Sequence, residues 1–316
     1  MKLYKFIKDW ILIFSILTGI FSYLIYHSLD VPKDISEIVS KTVNILQPTL
    51  IFAMLFLTFT RVNPRRLRMC PYQWWLLLIQ CGVFTGLGLL LMTMPHSNLR
   101  IILEGTMICF ICPTATAGAV VTRKLGGNAA HIITYTIMIN LFVALLIPIV
   151  VPYVHPNPDI SVWTASALIL GKVFPLLLLP LIAAFALRWI SPKWHAAIAR
   201  HHEYSFDLWV VALALALAIT TRYIVHSNVD LATQLCLVAV SLASCLAQFW
   251  LGRKIGSLYG DTVTGGQSLG QKNTILAIWI GYTFFTPITS MVGGFYSIWH
   301  NIVNSWQLYR HNNPKN

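Results

Sequence analysis

The sequence predicts an all-α integral membrane protein of ten transmembrane helices, arranged as two inverted five-helix repeats. Three observations predict it. Only 10% of the 316 residues are charged while 57% are hydrophobic, against roughly 25% charged in a soluble domain. Apolar runs of about 20 residues, the length that crosses a bilayer, recur along the whole chain. Polar interruptions fall at matching places in its two halves.

The runs lie at 10–29, 43–61, 73–94, 100–122, 130–153, 162–189, 206–226, 231–251, 260–282 and 285–309. The first resembles a secretory leader, but it is too long for a signal core and no small-x-small cleavage site follows it. It is read as a retained span. The sixth is long enough to require tilt.

With the N-terminus placed in the cytoplasm, the inside segments hold Lys2, Lys5, Lys8, Arg61, Arg65, Arg66, Arg68, Arg123, Lys124, Arg188, Lys193, Arg200, Arg253, Lys254, Arg310 and Lys315. The outside loops hold only Lys33, Lys41, Arg100 and Arg222. Sixteen basic residues against four orient the chain with both termini cytoplasmic in a cell (plasma or inner) membrane. The net charge of +12 is spread over short loops, so nucleic acid is excluded as a partner; the lipid bilayer takes its place.

Ten spans divide as five plus five, giving halves 1–155 and 156–316. A five-span unit repeated once reverses its orientation, the plan of many secondary transporters. The fourth span of each half is broken. In the first half the break is Cys112-Pro113-Thr114-Ala115-Thr116-Ala117-Gly118. In the second it is Gly265-Gly266 followed by Gln271-Lys272-Asn273. Freed backbone groups cannot face lipid, so the two breaks are expected to cross at mid-depth and frame a substrate site. Lys272 marks it: a cation at bilayer depth costs roughly 2.5–3.5 kcal/mol on insertion scales unless it is partnered or wetted.

Three segments carry a resemblance to the bile acid:sodium symporter family. Cys112-Pro113-Thr114-Ala115-Thr116-Ala117 is similar to the family's C-P-G-G-T-A-S-N, Gln271-Lys272-Asn273-Thr274-Ile275-Leu276-Ala277 to its Q-N-S-x-L-A, and Phe295-Tyr296-Ser297-Ile298-Trp299-His300-Asn301 to its F-S-x-W-H-N. Lys172-Val173-Phe174-Pro175 is similar to a family K-V-x-x-P. The resemblance implies a panel domain (about 10–61 and 162–226), a core domain (about 73–153 and 231–309) and alternating access between them. It implies organic-anion substrates such as bile acids, steroid sulfates or small carboxylates. Its sodium ligands depart here. Gly118 and Ala119 stand where Ser-Asn is expected, Gln267 where a glutamate is expected, and Lys272 where an asparagine is expected. Gln80 and Thr136 align with further family ligands.

The expected substrate or ion site is therefore Thr114, Thr116, Gln267, Gln271, Lys272, Asn273, Gln80, Thr136 and His300. The Lys272 ammonium stands in for the sodium charge, held by carbonyls and by Gln267 or Gln271; protons are the alternative coupling ion. No metal and no cofactor is expected. The six cysteines read as packing residues, Glu104 as the i,i+4 partner of Arg100 or a proton carrier, Asn140 as an interhelical hydrogen-bonding group, and Lys172 as snorkelling or serving the panel domain. His300 reads as a cavity residue or a satisfied packing histidine, and Trp74, Trp75, Trp163, Trp189 and Trp209 as interfacial belts. The rival readings are a transporter-like binding protein or sensor that moves nothing, and a membrane-embedded enzyme. The second is disfavoured because Glu104 is the one carboxylate well inside a span.

Overall fold

The computed structural model describes residues 2–29, 31–62, 64, 67–94, 99–201, 204–227 and 229–313, with side chains from residue 14 onward. Arg65, Arg66, His202 and Lys315, and the side chains of Lys2, Lys5, Lys8 and Trp10, lie outside the described residues. The described chain is helical. Its helices are α1 (Lys2–Ser28), α2 (Lys33–Thr60), α3 (Pro71–Thr93), α4 (Arg100–Ile111), α5 (Gly118–Lys124), α6 (Ala129–Val154), α7 (Val162–Leu177), α8 (Leu179–Ile190), α9 (Pro192–Arg200), α10 (Tyr204–Val225), α11 (Leu231–Ser257), α12 (Thr262–Gly270), α13 (Thr274–Phe284) and α14 (Pro287–Asn312).

Among the described residues, α2, α3, α6, α10 and α11 are long and apolar enough to cross a membrane, and α7 with α8 makes a sixth if the pair counts as one span. The chain is a multi-pass membrane protein. The segments expected to form spans four and nine each fold as two short helices, α4 with α5 and α12 with α13.

Helix starts follow local chemistry. Pro71 and Pro287 open α3 and α14 at positions whose N–H would have no intrahelical partner. The Thr286 hydroxyl accepts from the Thr289 amide at 3.1 Å, and Asn128 and Asp230 cap α6 and α11. The hydrogen bonds from Thr233 to Asp230 also hold that surface carboxyl below its ordinary pKa.

The chain forms two compact units. The first comprises residues 1–61 and 180–228. In it α10 packs on α1 and α2. Gly19 lets α1 approach α10 closely, since a Cβ there would lie 2.2 Å from the Ala214 carbonyl oxygen. The Ser15 hydroxyl donates to the Val210 carbonyl at 2.6 Å. The second unit comprises residues 62–179 and 229–316 and contains both interrupted helices.

Gly265 and Gly266, expected to help break span nine, lie inside α12 and serve packing instead. A Cβ on Gly252 of α11 would lie 2.3 Å from the Gly265 carbonyl oxygen, and one on Gly265 would lie 2.4 Å from the Gly252 carbonyl oxygen. The break comes after Gly270. Where two backbones touch, neither can yield, so Gly252→Ala should lower stability by about 1–3 kcal/mol through overpacking. Thermal unfolding of the purified protein in detergent checks this. A melting temperature equal to the parent's would mean that α11 and α12 can separate without cost.

At one end of this unit Asp261 ties three helix starts together. It accepts from the Tyr72 hydroxyl at 2.9 Å and faces His131 Nδ1 at 2.7 Å. Three expectations are corrected here. Trp209 is buried against Phe206 rather than in a belt, whereas Trp74, Trp75, Trp163 and Trp189 are exposed. Asn140 is buried, yet neither of its amide atoms has a hydrogen-bond partner among the described residues. Cys236 is exposed rather than packed.

Candidate functional site

The two breaks meet. Residues 112–117 and 271–273 run antiparallel, with Thr114 paired to Lys272. The Ala115 amide donates to the Gln271 carbonyl at 3.0 Å, and the Asn273 amide donates to the Pro113 carbonyl at 2.8 Å. Pro113, which has no N–H, supplies only an acceptor. The chain therefore builds one short β-like crossing inside a helical unit.

The reason lies in the helix ends. The last turn of a helix leaves carbonyls without intrahelical donors, and at membrane depth each needs a partner. At the end of α4 the Cys109 carbonyl receives Gln248 Nε2 at 3.2 Å. The Phe110 carbonyl receives the Lys272 ammonium at 3.2 Å. The Ile111 and Cys112 carbonyls share Gln80 Nε2, at 3.4 and 2.9 Å. The end of α12 is treated likewise: Thr114 Oγ1 donates to the Ser268 carbonyl at 2.6 Å, and the Tyr296 hydroxyl donates to the Gly270 carbonyl at 2.8 Å. Asn273 caps α13 through the Leu276 amide at 3.3 Å.

Lys272 is 1% exposed. It therefore sits deep inside protein, at the carbonyl end of α4, where the helix dipole favours a cation. The thiols of Cys81, Cys109, Cys112 and Cys245 lie close enough to interact with it electrostatically. It lies at the crossing and donates to a carbonyl, that of Phe110, as expected, but neither Gln267 nor Gln271 receives it.

The expected site residues separate into two groups. Thr114, Gln271, Lys272, Asn273 and Gln80 stand together at the crossing, and Thr116 is half-buried at its edge. Gln271 Oε1 is buried without a hydrogen-bond partner among the described residues. It lies 3.7 Å from the point where Gly118 would carry a Cβ, so the missing side chain of residue 118 leaves an acceptor unmatched. Gln267 turns to α14 instead, its Nε2 donating to Asn304 at 3.0 Å and Gln307 at 3.1 Å. Thr136 bonds back to the Ile132 carbonyl of its own helix at 2.8 Å. His300 is buried against Tyr296, ring centroids 5.9 Å apart, with neither ring nitrogen hydrogen-bonded among the described residues.

Sequence reasoning missed Gln248, Tyr135 and Tyr296. Tyr135 donates its hydroxyl to Gln80 Oε1 at 2.9 Å, which fixes the amide that caps α4. A glutamine inside the apolar run 231–251 was the one available signal for Gln248. Among the described residues no group of three or more His, Cys, Asp or Glu side chains is placed to hold a metal ion.

A comparison with curated proteins finds no match. A family model does match, over residues 49–292, a stretch that includes both breaks. The chain belongs to the SBF-like CPA transporter family.

Proposed function

We propose that the protein is a secondary transporter of a small or amphipathic organic anion, working by alternating access, with ten crossings in two inverted halves. In this reading Thr114, Thr116, Gln271, Lys272 and Asn273 frame the crossing site, with Gln80 supporting it. The Lys272 ammonium takes the place of the sodium charge that relatives are expected to hold there. One observation carries it: the amine is almost completely buried and sits on a helix-end carbonyl at the crossing.

The charge argument supports it. A hard cation wants several oxygens, preferably anionic. Here Gly118 and Ala119 offer no side-chain oxygen, and Gln267 is neutral and turned to α14. Two unit charges 4 Å apart repel by roughly 4 kcal/mol at an effective dielectric near 20, so a sodium ion beside a charged Lys272 is disfavoured about a thousandfold.

The test is uptake of radiolabelled organic anions, taurocholate and pyruvate among them, into proteoliposomes with sodium and proton gradients set separately. Uptake is expected to be indifferent to the sodium gradient. Uptake that rises with external sodium at fixed pH and membrane potential would end this reading. A non-transporting sensor would instead show saturable binding with no accumulation inside the vesicles.

A further inference from the structure

Away from the crossing, the second unit contains a cavity of about 420 Å³ lined by Leu91 and Met92 of α3, Arg100 of α4, and Tyr153, Val154, His155 and Pro156 around the end of α6. Its volume falls in the range of small-molecule sites. The lining combines apolar side chains with a guanidinium and an imidazole. Beneath them lies Glu104, 1% exposed. Its Oε1 is 2.8 Å from Arg100 Nε and 3.1 Å from His155 Nε2. The geometry is that of ion pairs rather than aligned hydrogen bonds, and Oε2 has no hydrogen-bond partner among the described residues. Arg100 Nη2 donates to the Val154 carbonyl. A guanidinium has five N–H donors, and these two contacts use Nε and one hydrogen on Nη2.

We propose that this cavity binds an amphipathic monocarboxylate, its carboxylate against Arg100 and His155 and its tail against Leu91, Met92 and Val154. Glu104 offsets the charge of Arg100 through Nε, and a ligand carboxylate takes the guanidinium hydrogens that these contacts leave free, beside the imidazole edge. The groups facing His155 are Glu104 and Arg100 of α4; Phe285, from the turn before α14, packs edge-on to the ring and carries no charge; Tyr153 lines the same cavity. That the pocket is a station for a transported anion rests on the function proposed above; equilibrium binding does not.

The experiment is equilibrium binding of radiolabelled hexanoate to the protein in nanodiscs, with empty nanodiscs subtracted and hexan-1-ol as an uncharged competitor. Saturable binding is expected, unaffected by hexan-1-ol. His155→Leu should weaken binding at least threefold. Arg100→Gln alone strands a buried carboxylate and risks misfolding, so the decisive variant is Arg100→Gln with Glu104→Gln, which removes both charges together. It should weaken binding at least tenfold while its melting temperature stays near the parent's. Unsaturable binding, equal affinity in the double variant or displacement by hexan-1-ol would each overturn the proposal. Such a failure leaves the role of Lys272 untouched, because Lys272 does not line this cavity. Conversely, sodium-driven uptake would overturn the reading of Lys272 and leave hexanoate binding as measured.

Discussion

Lys272→Met is expected to reduce organic-anion uptake into proteoliposomes at least tenfold while leaving the protein folded. Two terms oppose each other in its stability. Removing a buried ammonium relieves a desolvation cost of several kcal/mol, and loss of the donor strands the Phe110 carbonyl at about 1–3 kcal/mol. The melting temperature should therefore stay close to the parent's or rise slightly. Flux and stability thus separate the two roles open to this amine. Unchanged uptake means the ammonium takes no part in transport. A collapse in stability of more than about 3 kcal/mol means that it chiefly holds the crossing together. The converse experiment restores the family's expected ligands: Gly118→Ser, Ala119→Asn, Gln267→Glu and Lys272→Asn in one chain. The space beside Gly118 already faces Gln271 Oε1, and a Cβ there meets first the end of the flexible Ile132 side chain, at 3.0 Å. That variant should acquire sodium-dependent uptake, and continued indifference to sodium would show that the four positions do not govern coupling.

Gln80→Leu should be the most destabilising single change near the crossing. The side chain caps the Ile111 and Cys112 carbonyls and accepts the Tyr135 hydroxyl, all in a buried setting. Leucine has nearly the same volume but leaves these groups unpaired, at about 1–3 kcal/mol for each fully stranded group. Because the two carbonyls share one amide nitrogen, a total of about 2–4 kcal/mol is expected. Thermal or denaturant unfolding in detergent measures it. A double-mutant cycle with Tyr135→Phe should recover about 1 kcal/mol, since the phenol no longer lacks an acceptor. Additive losses would show that Tyr135 and Gln80 act separately and that the shared cap is not a unit.

Much of the candidate site was legible without coordinates. Pro113, the polar run 271–273 and Lys272 conflict with an apolar helix so strongly that the breaks declare themselves. Glu104 and Arg100 are four residues apart on one helix and form the ion pair that spacing implies. Other positions misled because their meaning is set by a neighbour distant in sequence. Gly265 and Gly266 look like helix breakers, yet α11 presses its own glycine against them and the helix continues. Gln267 looks like a ligand of the crossing, yet its amide reaches Asn304 and Gln307, 37 and 40 residues further on.

Composition, the lengths of the apolar runs and the two polar breaks determined, by themselves, that this chain is a multi-pass membrane protein with a cation in an interrupted span. These follow from local solvation: lipid accepts neither a lone charge nor an unpaired peptide group, whatever the rest of the chain does. Only the tertiary structure decided which donor meets which stranded carbonyl, that Lys272 closes the end of α4, and that Gln80, Gln248 and Tyr296 complete the same crossing. Those pairings join residues 26 to 162 positions apart, and hydrogen-bond geometry at that range is fixed by packing, which no local pattern records.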